Sequence, residues 1–465
     1  MKNHFANIIP FCLILIILGI INLLTPDKVV SEIENRNLEQ MPVFSINEMF
    51  KGEYFQKLDL YFSDQFAFRE DFVQINGMMK EFRGIQTNDN AEIVVYNGNN
   101  TFEEQIPAQD DLEKAEKDTE ETDFQNTDQF AAEPVQSLES LPMETSIEPS
   151  TDSTGSDNPV AETTKQEEND GEGLYLGKIL IWNNSAYSIF TFNEKSADYY
   201  SQTLKSFKEK IGDSVKVYSL LAPTSIEFIV SPKYKTLADS EMDAIDYVYE
   251  KLGEGITSVD AYTPLSEHRD EYVYFRTDHH WTALGAYYAY TGFEQASGLE
   301  HISLSDYKSE KIEPYLGAAY RSTNSIALKN HPDSFIFYQP YLSSEYYVYY
   351  EGSVKLNVLD MAHAANNNKY GIFLSGDRPL GKIITPIKNG KKILIVKDSF
   401  ANALVPFLIP HYEEIYILDP RQYQKNIYKL IDDNGIQEVM FLNNAMILGG
   451  NGFMDLVNKV MDAAQ

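Results

Sequence analysis

Apolar and polar positions divide the chain into four stretches. Residues 5–24 read FANIIPFCLILIILGIINLL, an uncharged run with no polar face, long enough to cross a hydrocarbon core. From residue 29 to about 82 apolar residues recur at helical spacing: Phe55, Leu58, Tyr61 and Phe62, then Phe66, Phe68 and Phe72. Residues 91–96 (AEIVVY) form a strand-like run, cut off by Asn97-Gly98-Asn99-Asn100. The pattern vanishes over residues 101–172 and resumes at Leu174. Strands or a hairpin are predicted over 174–182, a helix over Glu194–Ile211 with Tyr199, Leu204 and Phe207 inward, and a buried strand over 215–221. Helices follow over 240–252 and after Trp281. In the last third, short apolar strands at 393–396, 415–418 and 439–442 alternate with helical patterns at 401–409, 422–432 and 454–463. That alternation predicts an α/β fold, a parallel sheet with helices on both faces. Such sheets carry their sites at the carboxyl ends of strands, where Ser399, Asp419 and Asn443-Asn444 fall.

Charge sharpens the division. The formal net charge is −32, but residues 101–172 hold 22 acidic and 3 basic residues, a local −19 that leaves −13 for the rest. This stretch cannot bury enough apolar area to offset its chain entropy and reads as a disordered acidic insertion. Clustered Lys and Arg are missing, which argues against nucleic acid as a partner. The single cysteine, Cys12, permits no disulfide within the chain, which suits a bacterial envelope. Lys2 precedes the apolar run and acidic residues follow it, so the reading is an uncleaved transmembrane signal anchor with a cytoplasmic N-terminus. The expected organisation is a cytoplasmic tip and anchor at 1–28, a membrane-proximal helical region with a first strand at 29–100, the insertion at 101–172, and a catalytic domain at 173–465.

Chemistry concentrates in two short blocks. Thr277-Asp278-His279-His280-Trp281 offers a carboxylate and an imidazole in an Asp-x-His spacing. Lys397-Asp398-Ser399-Phe400 puts a serine just after a strand and before a helix, where backbone N–H groups favour a developing oxyanion. A serine nucleophile, a histidine base and an aspartate that orients it suffice for acyl transfer. Each has a plainer reading: Ser399 as a helix N-cap, the histidines as structural residues. Asp278 with both histidines is also a metal set by ligand type, although a further ligand motif is missing and adjacent histidines rarely chelate one ion from a strand. Arg276 and Arg421 suit a carboxylated or polar glycan, or structural ion pairs. Trp281, Tyr287 and Tyr315 could stack on sugars, but most such aromatics belong to cores.

Through the TDHHW and KDS blocks the chain resembles the DHHW proteins, which are similar to alginate O-acetyltransferases of the SGNH-hydrolase-like group. Residues 31–36 and 64–69 also resemble the family's membrane-proximal region. The resemblance spans about 29–100 and 174 to the end. It implies a permuted, flavodoxin-like SGNH domain in which the Asp-His block precedes the serine. Ser399, His280 and Asp278 would form the triad. Asn444, then Asn443, would supply oxyanion donors, although the glycine of the second SGNH block has no counterpart at Leu418-Asp419-Pro420. The implied function is extracytoplasmic O-acyl transfer, acetyl in the first instance, onto a cell-envelope or secreted polysaccharide, without a cofactor. A membrane-bound O-acyltransferase would be the partner that supplies acyl groups. A carbohydrate acetyl-esterase with the same triad, or a non-catalytic glycan-binding or assembly protein, are the alternatives.

Overall fold

A computed structural model describes parts of residues 17–69 and nearly all of 174–464. Most of the expected anchor, the strand at 91–96 and the acidic insertion lie outside the described residues. Among the described residues no helix is long and apolar enough to cross a membrane. Among the described residues the helical region expected over 29–82 is seen only in part, and residues 70–82 lie outside the described residues. A two-residue ladder pairs Val30–Ser31 with Arg36–Asn37, and the helix α1 covers only Glu53–Asp64, with Phe55 and Phe62 exposed. Short polar links order this piece: the Glu39 N–H donates to Asp64 and the Tyr61 hydroxyl to Asp27.

The strands in chain order are β1 (Leu174–Leu176), β2 (Ile179–Trp182), β3 (Ser185–Ser188), β4 (Lys216–Ala222), β5 (Ile256–Val259), β6 (Ser309–Tyr315) and β7 (Asp333–Tyr338). They continue with β8 (Glu345–Tyr349), β9 (Ser353–Leu356), β10 (Leu380–Ile384), β11 (Lys392–Lys397), β12 (Glu414–Leu418) and β13 (Glu438–Asn444). The longer helices are α2 (Glu194–Ile211), α3 (Glu241–Leu252), α4 (Ala283–Ser297), α5 (Ala401–Leu408), α6 (Ile427–Asn434) and α7 (Gly452–Asp462). Eight strands form one sheet in the order β9-β8-β10-β12-β11-β13-β4-β5.

This sheet corrects the all-parallel expectation. The run β12-β11-β13-β4-β5 is parallel, but β10, β8 and β9 extend it antiparallel from the edge of β12. Without them β12 would expose a row of unpaired backbone donors and acceptors. Side chains of the central strands alternate between two cores, as a two-residue period requires. Ile393 and Ile395 of β11 pack with α4 and α5, while Leu394 and Val396 pack with α2, α3, α6 and α7. Helices therefore cover both faces of the parallel part.

Local sequence explains the helix ends. Asn193 caps α2 by accepting from the Lys195 and Ser196 N–H groups, and Gly212 stops it at φ 74°. Ala197, Tyr200, Leu204 and Phe207 form its buried stripe; burying each large side chain contributes about 1.5–3 kcal/mol. The helix expected from 422 starts later because Asn426 accepts from the Lys429 N–H and so fixes Ile427 as the first residue of α6.

Candidate active site

Ser399 sits in the turn between β11 and α5. Its carbonyl accepts from the Asn402 N–H at 3.2 Å, but its hydroxyl caps nothing: Phe400 holds the N-cap position, without a side-chain cap. Instead Ser399 Oγ lies 2.7 Å from His280 Nε2. On the other side of the ring, His280 Nδ1 lies 2.7 Å from Asp278 Oδ1, which also accepts the His280 N–H at 3.1 Å. The sequence separates Ser399 from this pair by more than a hundred residues; the fold joins them in one hydrogen-bonded line.

The Asp-His block is a loop braced on all sides. Thr282 closes its base by donating N–H to Val273 O (2.9 Å) and hydroxyl to Tyr272 O (2.7 Å), and then caps α4. Asp333, the first residue of β7, receives the Arg276 N–H (2.9 Å), the Thr277 N–H (2.7 Å) and the Thr277 and Tyr272 hydroxyls. Asp278 Oδ2 accepts the Ala318 N–H at 2.8 Å and the Tyr315 hydroxyl. Gly317 permits that approach, because a Cβ there would stand 2.3 Å from Asp278 Cβ. The Trp281 indole N–H donates to Phe400 O at 2.9 Å and ties the two blocks together. Tyr370 lies flat on His280, ring centroids 3.7 Å apart at 8°, and its hydroxyl donates to Ser399 O at 3.2 Å.

Charge follows from this packing. Burial alone would raise the Asp278 carboxyl, but the charge and hydrogen bond of His280 outweigh it and hold the group well below the usual carboxylate range. Burial, with His280 beside it, pushes His279 down to about 3, so that ring is neutral. The three residues of the metal reading present ligand atoms within 4.8 Å of one another, yet both ring nitrogens of His280 are engaged by Asp278 and Ser399.

A second charged cluster adjoins the serine block. Lys397, almost fully buried, pairs with Asp377 and lies 3.7 Å from Asp419. Arg421 donates to Asp419 at 2.9 and 2.6 Å and to Asp377 at 2.6 Å. Burial would raise Asp377, but Lys397 and Arg421 keep its carboxyl ionised well below the ordinary value. The chain reaches Asp377 through Leu374, Ser375 and Gly376, all left-handed, at φ 58°, 57° and 81°.

Ser399, His280 and Asp278 are thus brought together, and the other expected residues are used differently. The Asn444 amide donates to Asp398 Oδ2 (2.9 Å), as does its backbone N–H (2.8 Å), so it braces the residue before the serine instead of offering an oxyanion donor. Asn443 is fully buried, with neither side-chain polar atom hydrogen-bonded among the described residues. Arg421 is committed to its two aspartates. Arg276 donates to Pro332 O at 3.1 Å and stands 3.6 Å from Asp333, outside the triad. Trp281, Tyr287 and Tyr315 are buried and stack on no exposed surface. Sequence reasoning missed Tyr370 and Gly317 and the role of Tyr315. None has a local signature, since each acts only through a contact made in the fold.

A family model described as DHHW protein matches residues 34–418. A solved DHHW family protein from Eubacterium siraeum is 32% identical, with a TM-score of 0.57 over 63% of this chain and 99% of that one. Bacillus cereus PatB1, solved with a sulfonyl adduct, is 21% identical, with a TM-score of 0.50 over 58% of this chain and 94% of that one, a likeness of fold. The O-acetyltransferase domain of Pseudomonas putida AlgJ aligns at 12% identity and a TM-score of 0.34, over 58% of this chain and 91% of that one. Among curated proteins no significant match to the chain is found.

Proposed function

The chain belongs to the DHHW family, and from that premise we propose that it is an extracytoplasmic O-acyltransferase that transfers acetyl to a hydroxyl of an envelope or secreted polysaccharide. The observation that carries the reading is the line Ser399 Oγ–His280 Nε2–His280 Nδ1–Asp278 Oδ1, with 2.7 Å at each hydrogen bond. Strand order supports the SGNH-like reading. Counted from the serine strand β11, the parallel strands stand along the sheet as second, first, third, fourth and fifth, the flavodoxin-like order, and the chain enters it at the fourth. That is the permuted connectivity the resemblance implies.

In this mechanism His280 Nε2 takes the Ser399 proton as Oγ attacks the acyl carbonyl of the donor. The tetrahedral intermediate collapses, the donor's leaving group departs with the proton from His280, and Ser399 carries the acyl ester. A sugar hydroxyl then gives its proton to His280 and attacks that ester; the acyl group moves to the sugar and Ser399 regains its proton. Asp278 stabilises the imidazolium in both steps. The Ser399 N–H, at the start of α5, is the proposed oxyanion donor, with Asn443 as the remaining asparagine candidate. The acyl donor side would be served by a membrane-bound partner, and the apolar run at 5–24 would tether the chain beside it.

PatB1 was captured with a sulfonyl adduct, and a sulfonyl fluoride suits an imidazole-activated serine. Intact mass spectrometry of the full-length protein with a sulfonyl fluoride, and separately with an activated acetyl ester, tests the reading. Adducts on wild type that are lost in Ser399→Ala and His280→Ala support it. A wild-type protein that takes up neither group and turns over no ester overturns it.

A further inference from the structure

Beside the Asp-His loop is a cavity of about 730 Å³ that the mechanism above does not use. We propose that it binds a carboxylate-bearing sugar unit of the acceptor polysaccharide. This rests on the acyl-transfer reading for its biological sense but not for its physical basis.

The wall nearest the triad is the segment that leads into it. Phe275 and Arg276 line the cavity, and the Phe275 N–H donates to His280 O at 3.3 Å. Asp278 follows Arg276 by two residues, which caps their separation at about 7 Å along an extended backbone. The opposite wall is the β2–β3 hairpin, tied to this one by the Ala186 N–H, which donates to Arg276 O at 2.8 Å. A polymer held here would run past the loop that carries the base.

The lining has the chemistry of an anionic saccharide site. In a chain of net charge −32 the cavity carries two arginines. Arg269 is exposed and has no ion-pair partner among the described residues. Arg276 leans on the Tyr272 ring at 5.3 Å, and its buried Nε has no hydrogen bond. That Nε also stands 3.6 Å from Asp333 in an ion pair, and Asp333 further accepts two backbone N–H groups and two hydroxyls. The one acid in the lining, Glu271, is taken up by His268 (2.7 Å) and the Tyr288 hydroxyl (2.8 Å). Arg269 thus offers a guanidinium fork, with Arg276 adding positive charge beside it, and a fork suits a carboxylate better than a lysine would.

Neutral parts of a sugar are provided for as well. Asn183 and Asn184 hold left-handed conformations at the hairpin tip, φ 49° and 59°, which sets both amides at the cavity's edge. Half-buried Phe228 and Tyr274, with ring centroids 5.9 Å apart at 29°, give an apolar floor. An apolar, aromatic surface with a few convergent polar groups is the general form of a small-molecule site. Ser225 and Phe228 follow the carboxyl end of β4, the edge of a parallel sheet where ligands bind.

The test is calorimetric binding of tetragalacturonate and of its methyl ester, the same sugar with its charge removed, to the full-length protein. The acid should bind about ten-fold or more tightly than the ester. Arg269→Ala should weaken the acid about ten-fold, and Arg269→Glu should weaken it further. Equal binding of acid and ester, absence of binding up to millimolar concentrations, or unchanged affinity in Arg269→Glu each overturns the proposal. The acylation assay on wild type is scored separately. Acylation without tetragalacturonate binding sinks the cavity alone. Binding without acylation keeps the cavity and sinks the acyltransferase.

Discussion

Two buried carboxylate clusters adjoin the serine block, and they differ in the partner given to each acid. Asp278 faces an imidazole, a base that can release its proton. Asp377 and Asp419 are ion-paired with Lys397 and Arg421. Both clusters sit out of water, and in each the surroundings hold one carboxyl, Asp278 or Asp377, well below the ordinary value. Only the first can pass a proton along its hydrogen bonds. The second fixes the end of β11 and the approach to Ser399. A buried carboxylate therefore signals chemistry only when its partner is a group that can both take up and release a proton.

The sharpest way to break this contrast is to alter Asp278. Asp278→Asn should lower the rate of Ser399 acylation by about 10⁴-fold, because the amide no longer favours the imidazolium. Stopped-flow acylation measures it, and a loss under ten-fold would put Asp278 in the structural class. Lys397→Met should do the opposite. It leaves Asp377 and Asp419 with one fewer cation and should cost about 3–5 kcal/mol of stability by urea unfolding. Parity with wild type would show the second cluster to be dispensable.

Acid should sharpen the comparison next. His279 is held neutral, with its folded value lowered from 6.5 to about 3. Unfolded chains therefore bind the extra proton between those values. The stability is present above 6.5 and is lost as pH falls toward 3, by up to about 1.4 kcal/mol per pH unit. His279→Gln should flatten the slope of urea stability between pH 6 and 4; an unchanged slope would contradict the shift. The smallest expected effect is at Tyr370. Tyr370→Phe keeps the stack on His280 and loses one hydrogen bond, about 0.5–1.5 kcal/mol, so acylation should slow only a few-fold. Tyr370→Leu loses the stack too and should slow it further, by about another 0.5–1.5 kcal/mol. Equal rates in both variants would show that the ring does not position the base.

Much of this was legible beforehand. The strands around β11, β12 and β13 and the helix Glu194–Ile211 follow from local periodicity, because both faces of the parallel sheet are buried and the apolar runs are short and continuous. The Asp-His and serine blocks were legible as candidates by residue type, but for Ser399 only the family resemblance favoured the triad over a plain helix N-cap. The strands β8 to β10 were not, because their half-polar alternation makes sense only once β12 exists as an edge to cover. Asn444 misled because a strand-end asparagine carries no mark of which acid it will meet; the fold put Asp398 beside it. Tyr370 and Gly317 were silent for the same reason. One stacks on a ring ninety residues earlier in the chain, and the other is needed only for the room it leaves.

The position of β13 has a consequence for how the molecule comes into being. It comes last in chain order among the described strands, yet it lies between β11 and β4 in the sheet. Until residues 438–444 are made, the nascent sheet exists as two unjoined pieces, with Ser399 on one and His280 emerging from the other. Nothing upstream can substitute for it, since β4 and β11 have no direct ladder. Reactivity of Ser399 would therefore report that residues 438–444 are in place: a chain that stops short of them has no assembled relay with which to acylate itself or its surroundings.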